Sequence, residues 1–195
     1  MHGLINRSFQ NYMTDNYGKD AWLRVAAKAN VSPPEFEAML TYDDSVTPAV
    51  LDAMGGVLGR PRGEIMEDIG AYLVSHPNTE AVRRLLRFGG VNFEDFLHSL
   101  DDLPDRAQMA VSDLHLPSIE LHGHADGNFS LICDSPLAGF GHLMMGVLRV
   151  MADDYGVLAL LELEEVADGT EIVRIQMVAA DYADGRVFDL GARAS

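Results

Sequence analysis

The chain has 195 residues, 48% of them hydrophobic, which is enough to bury the core of one domain. Its formal net charge of −16 excludes nucleic acid as a partner, because a phosphate backbone would be repelled, and it disfavours an anionic membrane surface for the same reason. Such a charge suits solubility or docking to a basic protein.

Residues 1–111 predict a string of helices, because apolar residues recur there at helical spacing. The segment 32–40 opens on SPPE, the pattern of a capping box with proline in the first turn, and is predicted to form a short helix. Asn78 and Asn92 are expected to open two further helices. The residues predicted to face the core include Phe9, Tyr12, Met13, Trp22, Val25, Val50, Leu51, Met54, Ile65, Ile69, Tyr72, Val82, Leu85, Leu86, Phe93, Phe96, Leu97 and Leu103.

Residues 112–183 predict the order β-β-α-β-β. Two alternating segments flank Asp126-Gly127, which is typical of a tight hairpin, and a second pair of strands is joined through Asp168-Gly169. Between the pairs lies a helix that is apolar on nearly every side and is therefore predicted to be buried. The fold class is α+β, with an N-terminal helical half packed on a C-terminal antiparallel sheet.

A single domain over 1–183 is expected, divided into halves at 1–111 and 112–183, with a C-terminal tail at 184–195. In that tail Val187, Phe188 and Leu190 could add an edge strand. The start of the chain lacks the basic and apolar regions of a signal peptide, and the longest apolar stretch, at 140–151, is too short to span a bilayer. The single cysteine, Cys133, excludes an internal disulfide and suits a reducing compartment. The cytoplasm is the expected location.

Three segments resemble the H-NOX family, the haem nitric-oxide/oxygen-binding domains related to the β subunit of soluble guanylate cyclase. The opening MHGLIN at 1–6 is similar to that family's Met-x-Gly-Leu-Val-Asn, and FLHSLDDLPDR at 96–106 is similar to its proximal helix, Leu-Asp-x-Leu-His-x-Arg. The segment LICDSPLAG at 131–139 lies where the family has Tyr-x-Ser-x-Arg. The resemblance covers essentially the whole chain and implies an H-NOX fold.

The chain departs from the family at the positions that the resemblance assigns to haem. Pro104 stands where the family has the histidine that ligates the iron, and proline has no lone pair to offer. Arg106 is retained, so the alignment has not slipped. Of the motif that clamps the haem propionates only Ser135 remains, with Cys133 in place of the tyrosine and Leu137 in place of the arginine. A propionate facing Leu137 would lose charge-assisted hydrogen bonds, so degraded or atypical haem ligation is expected.

Other ligands for a haem iron remain open. His142, on the helix after the clamp segment, is the best substitute, and a histidine satisfied by a neighbour is the alternative for it. Cys133 could ligate as a thiolate but is more simply a small buried residue on a strand. His98 is six residues from Pro104, about 600° of helical rotation, and projects from another face. The further positions predicted to line the site are Leu73, Leu100, Pro117, Leu143, Met144 and Val147.

Two histidines, His122 and His124, lie on one side of a predicted strand, a spacing that can bind zinc or copper. No third ligand is visible in the sequence, so surface histidines are the preferred interpretation.

The resulting hypothesis is a non-enzymatic sensory or regulatory module of the haem-NO-binding type with a degenerate haem site. The resemblance implies haem as the ancestral cofactor, nitric oxide sensing, and a histidine kinase or cyclic-dinucleotide enzyme as the signalling partner. Two alternatives remain. The pocket takes a non-haem apolar ligand, or it is filled by side chains such as Leu73, Leu100, Met144 and Val147, leaving an interaction module without a ligand.

Overall fold

The structure, a computed structural model, describes residues 1–166 and 169–186. The predictions for Asp168 and for an edge strand at Val187, Phe188 and Leu190 lie outside the described residues. The helices are α1 (Gly3–Tyr17), α2 (Lys19–Lys28), α3 (Val46–Leu58), α4 (Arg62–Ser75), a short 3-10 helix (Pro77–Thr79), α5 (Glu80–Arg87), α6 (Phe93–His98), α7 (Leu103–Ala110) and α8 (Phe140–Tyr155). The strands are β1 (Ser118–Gly123), β2 (Asn128–Asp134), β3 (Leu158–Glu165) and β4 (Glu171–Ala179).

The predicted short helix over 32–40 is wrong, since the chain between α2 and α3 contains no helix. Ser32 and Pro33 each precede a proline, and the residue before a proline is disfavoured from helical geometry. The backbone of this loop is held by side chains of the neighbouring helices instead. The Trp22 indole donates to the Pro34 carbonyl oxygen at 2.7 Å, and the Phe36 amide donates to Gln10 Oε1 at 2.8 Å.

Between residues 78 and 110, some of the helix starts predicted from the sequence are found in the structure and others are not. Asn92 caps α6 as predicted, and its side-chain oxygen accepts from the Asp95 amide at 2.8 Å. Asn78 lies within the 3-10 helix rather than opening α5, and Val82 is exposed on the surface instead of facing the core. The proximal segment is split, because α6 ends at His98 and α7 begins at Leu103 with Pro104 in its first turn, where the missing amide hydrogen costs nothing.

The four strands form one antiparallel sheet in the order β1-β2-β4-β3. The predicted hairpin between β1 and β2 is confirmed, and Asp126 and Gly127 have φ values of 59° and 71°, the positive angles that a tight hairpin turn needs. Among the residues that the structure describes, no helix is both long enough and apolar enough to cross a bilayer.

Two apolar clusters make up the interior. The sheet-side core lies between α8, α6 and the sheet and is centred on Phe96, Leu100, Leu131, Leu148 and Val173. The helical core lies among α1 to α4 and is centred on Phe9, Met13, Val25, Leu51 and Ile69.

Helices α4 and α8 join the two halves of the domain through glycine. A Cβ at Gly70 would collide with the Leu143 carbonyl oxygen, and a Cβ at Gly146 would collide with the Glu67 carbonyl oxygen. The two backbones are therefore in direct contact, with no side chain of these residues between them. Leu143 packs beside this contact against both clusters.

Candidate functional site

The positions predicted to line the haem site fall into three groups in the structure. Four of them pack together in the sheet-side core: Leu100, Cys133, Met144 and Val147. Leu137 and the partly buried Leu73 belong to the helical core, and Leu143 contacts both clusters. The remaining four, Pro104, Pro117, Ser135 and His142, are half-buried.

The proximal segment is tied to its surroundings by side chains that flank Pro104. The Arg106 guanidinium donates to the Ser99 carbonyl oxygen at 2.7 Å and to the Leu85 carbonyl oxygen at 3.3 Å, which joins α7 to α5 and to the end of α6. Asp101 accepts from the Leu121 amide at 2.6 Å and fixes the segment to β1. These residues hold α7 in place without offering a ligand at position 104.

In the segment that corresponds to the propionate clamp, polar groups form hydrogen bonds with one another. The Ser135 hydroxyl accepts from the Leu137 amide and contacts the Leu137 carbonyl oxygen, both at 3.1 Å. The Leu137 side chain is buried in the helical core. The serine hydroxyl is thus engaged in a local turn, and position 137 supplies no charge for a carboxylate.

The N-terminus of α8 binds a carboxylate that belongs to the protein itself. The buried Glu171 carboxylate accepts from the Gly139 amide at 3.0 Å and from the Gly141 amide at 2.8 Å. A helix N-terminus stabilises negative charge, so Glu171 fills a position that an external carboxylate would otherwise favour. Sequence reasoning missed this role. The alternation of Glu171 with the buried Val173 and Ile175 was the signal that places its side chain on the inner face of β4.

His142 lies on the far side of α8 from the sheet-side core. Two residues correspond to about 200° of helical rotation, so His142 projects opposite to Phe140 and Met144, which face that core. A Cβ at Gly63 would lie 2.6 Å from His142 Nε2, so the imidazole rests on the first turn of α4. There it lines a surface cleft of about 270 Å³ together with Arg62.

Cys133 is fully buried, and burial, with a smaller contribution from the Glu171 charge, raises the pKa of its thiol to about 12. The thiol is therefore protonated at neutral pH, whereas the thiolate is the form that ligates a metal or attacks a reagent.

Cys133 is accordingly expected to resist modification by a thiol reagent such as dithionitrobenzoate in the folded protein at pH 8, because the reactive thiolate is suppressed and the sulfur is inaccessible. Full reaction is expected only after unfolding in urea. Absorbance of the released thionitrobenzoate measures both states. Rapid stoichiometric labelling without urea would contradict the burial of this side chain.

The histidine pair at the end of β1 does not converge on a common point, since His122 is on the strand and His124 follows its last residue. His122 Nε2 lies 2.7 Å from Glu120 Oε1, whereas His124 Nε2 lies 2.9 Å from the Ser130 hydroxyl. Within residues 1–166 and 169–186, no three His, Cys, Asp or Glu side chains are grouped closely enough to hold a metal ion.

The residues that stand at the site implied by the resemblance differ from the haem-ligating set of the family pattern. Position 104 lacks a nitrogen ligand, the Cys133 thiol is held neutral, and the His142 imidazole rests against α4.

Comparison with known proteins gives the family. The Haem-NO-binding family profile matches residues 2–159. The chain is 32% identical over 155 residues to the soluble guanylate cyclase gcy-35 of Caenorhabditis elegans, covering 78% of this chain and 22% of that protein. It is 23% identical over 155 residues to soluble guanylate cyclase 89Da of Drosophila melanogaster, covering 80% and 23%. The chain thus spans about a fifth of the length of these curated relatives.

Solved structures agree in fold. The unliganded Fe(II) H-NOX protein from K. algicida has a TM-score of 0.78 at 16% identity, covering 97% of this chain and 100% of that one. An Fe(II) H-NOX mutant from S. oneidensis also scores 0.78, at 14% identity, covering 92% and 97%. The predicted H-NOX resemblance and α+β class are confirmed, and the alternatives of a non-haem ligand or no ligand are not favoured. The chain belongs to the haem-NO-binding family and is a sensory domain of the H-NOX type.

Proposed function

We propose that this chain is a sensory and regulatory domain in which ligation of haem iron through the proximal helix has been lost. The observation that carries the proposal is the position of Pro104 in the first turn of α7, where the resemblance expects the iron ligand. A proline nitrogen within the peptide bond carries no lone pair for a metal. Rupture of an iron–histidine bond therefore cannot be the signal here.

The interior supports the same proposal. Leu100, Cys133, Met144 and Val147 pack against one another in the sheet-side core, and Leu137 fills the position of a charged clamp. A flat ligand between these groups would have to part α8 from α6 and lose that apolar packing, at about 25 cal/mol per Å² of apolar surface. The domain is proposed to bind haem weakly, or with atypical ligation, when haem is supplied in excess.

We propose that a catalytic partner, and not this chain itself, carries out the enzymatic reaction that the domain regulates. The relatives named above are soluble guanylate cyclases, and the chain matches about a fifth of their length. A nucleotide cyclase domain is therefore the first proposed partner, and a histidine kinase or cyclic-dinucleotide enzyme is the partner that the H-NOX resemblance implies. The single buried cysteine and the acidic composition support a cytoplasmic setting.

Titration with haem tests the proposal on the purified protein. The wild-type chain is expected to purify largely without haem and to show only a broad, weak Soret band when haem is added. Pro104→His restores an imidazole at the first turn of α7 and is expected to tighten haem binding tenfold or more, equal to about 1.4 kcal/mol or more, with a sharpened band. Absorption spectra and dissociation constants measure both effects.

The matched control is Pro77→His, which places a histidine at the first position of the exposed 3-10 helix. It should titrate as the wild type does. A wild-type protein carrying stoichiometric haem with a five-coordinate, histidine-ligated spectrum would overturn the proposal. Equal haem affinity in Pro104→His and Pro77→His would show that the missing nitrogen is not what weakens the site.

A further inference from the structure

A cleft on the outer side of α1 and α4 is lined by aromatic rings. Tyr12, Tyr17, Tyr72 and His76 lie along it together with the Asp68 carboxylate, and its volume is about 260 Å³. Tyr12 stands between the other two tyrosines, edge-to-face with each, at ring centroid distances of 5.8 Å to Tyr17 and 5.6 Å to Tyr72. The His76 imidazole packs against the Tyr72 ring with centroids 4.8 Å apart, so the rings form one aromatic cluster at the base of the cleft, and Tyr17 is its exposed member.

The hydroxyl groups of the two buried tyrosines point to carboxylates. Tyr72 donates to Asp15 Oδ2 at 2.6 Å, and Tyr12 lies within 3.4 Å of Asp68 Oδ2. Burial is the main cause that raises the pKa of each hydroxyl above its usual value; the next contribution comes from the Tyr17 hydroxyl for Tyr12 and from the Asp15 carboxylate for Tyr72. The rings are therefore neutral phenols at physiological pH, with the negative faces that attract cations.

The electrostatics beside the cleft favour a positive ligand. Arg60 pairs with both Asp68 and Glu64, and Asp15 lies behind the Tyr72 hydroxyl. The three carboxylates outnumber the one guanidinium, and the His76 imidazole lies 3.6 Å from Asp15 Oδ2. The chain as a whole carries −16, so a small cation is drawn toward this face.

We propose that the cleft binds a small organic ammonium ion, held by the partly exposed Tyr17 ring and the Asp68 carboxylate, with the buried rings of Tyr12 and Tyr72 supporting Tyr17 from behind. Tyrosine rings recognise quaternary ammonium groups through cation–π attraction, and a carboxylate beside them adds direct charge attraction. A cavity of about 260 Å³ accepts one such head group but not a large cofactor. This site lies between α1 and α4 and is independent of the proposed loss of haem ligation.

Titration with choline, followed by amide NMR shifts, tests the site on the intact chain. Choline is expected to cause saturable shifts at cleft residues such as Asn16 and Ser75, which line the same space. Dimethylbutanol, the neutral carbon isostere of choline, has the same shape without the charge. It is expected to bind at least about fivefold more weakly, because the cation–π and carboxylate attractions are lost.

Variants of Tyr17 separate ring chemistry from folding, since this side chain is 41% exposed and tolerates replacement. Tyr17→Leu is expected to weaken choline binding about fivefold, whereas Tyr17→Phe keeps the ring and the affinity. Tyr182→Leu, at an exposed tyrosine outside the cleft, should bind choline as the wild type does. The proposal is overturned by equal affinity for choline and its isostere, by unaltered binding in Tyr17→Leu, or by the absence of saturable shifts.

Discussion

Gly146→Ala is expected to lower the free energy of unfolding by roughly 2 kcal/mol or more, although alanine favours a helix over glycine by about 1 kcal/mol. The new methyl group would overlap the Glu67 carbonyl oxygen and would lie 2.7 Å from the Ala71 amide nitrogen. Both atoms belong to the backbone of α4 and cannot rotate aside, so the two helices have to separate. Overpacking of this kind costs about 1–3 kcal/mol, and more where nothing can yield. Urea denaturation followed by circular dichroism and Trp22 fluorescence measures the change.

The matched control is Gly123→Ala at the end of β1. A Cβ there meets Phe129 Cε1 at 3.8 Å, which is ordinary van der Waals contact, so the expected change stays within about 0.5 kcal/mol. Gly70→Ala should behave like Gly146→Ala, because its methyl group would overlap the Leu143 carbonyl oxygen from the other side of the same contact. If Gly146→Ala proves as stable as Gly123→Ala, α4 and α8 do not touch through their backbones.

Features that depend on short-range geometry could be predicted from the sequence. Asp126-Gly127 supplies two residues that tolerate positive φ between alternating strands, and the structure has the hairpin there. Asn92 supplies a cap three residues before Asp95, and α6 begins after it. Pro104 cannot continue a helix, and α7 starts around it. In each case the deciding contacts lie within a few residues along the chain.

Features that depend on distant partners could not be predicted in this way. The loop at 32–40 is decided by Trp22 and Gln10, which satisfy its backbone from neighbouring helices. The close approach of α4 and α8 joins Gly70 and Gly146, which have nothing in their local sequence to distinguish them from other helical glycines. Such contacts become visible only when the elements are assembled.

For the candidate site too, the local burial of a residue could be predicted but its distant packing partners could not. The structure buries Leu100, Met144, Val147 and Leu137, which are four of the positions predicted to line the site. Periodicity gives the buried face of an element but not the cluster that receives it, and Leu137 joins the helical core while the other three join the sheet-side core. The resemblance named the positions that matter for haem, and only the assembled structure shows what now surrounds them.

If haem ligation is lost as proposed, three residues would weaken haem binding, each for a different physical reason. Pro104 removes a nitrogen ligand, Leu137 replaces charged donors with an apolar group, and Glu171 places a carboxylate on the amides at the start of α8. A haem propionate approaching those amides would meet a like charge in place of free donors. Restoring one point therefore recovers only part of haem binding, and Pro104→His with Leu137→Arg is expected to bind haem more tightly than either single variant.

Asp154→Ala is expected to lower the free energy of unfolding by about 3 kcal/mol or more. Asp154 is 3% exposed at the end of α8, where it accepts from Arg83 Nε of α5 at 2.5 Å and lies 3.8 Å from the Arg186 guanidinium. Removing the carboxylate leaves the largely buried Arg83 charge without its partner, and an uncompensated buried charge costs more than the pair contributes when intact. The same urea titration measures the loss.

An exposed ion pair gives the comparison that isolates burial as the cause. Glu67→Ala breaks the contact with Arg149, where Nε lies 2.7 Å from the carboxylate but the arginine is 53% exposed, so a loss under about 1 kcal/mol is expected. Asp154→Ala combined with Arg83→Met removes both buried charges and should be more stable than Asp154→Ala alone, since no orphaned guanidinium remains. A double variant as unstable as the single one would mean that lost packing at the end of α8, and not the unpaired charge, sets the cost. In that case side-chain packing stabilises the junction of α5 with α8, and the ion pair between Arg83 and Asp154 contributes little to the stability of the domain.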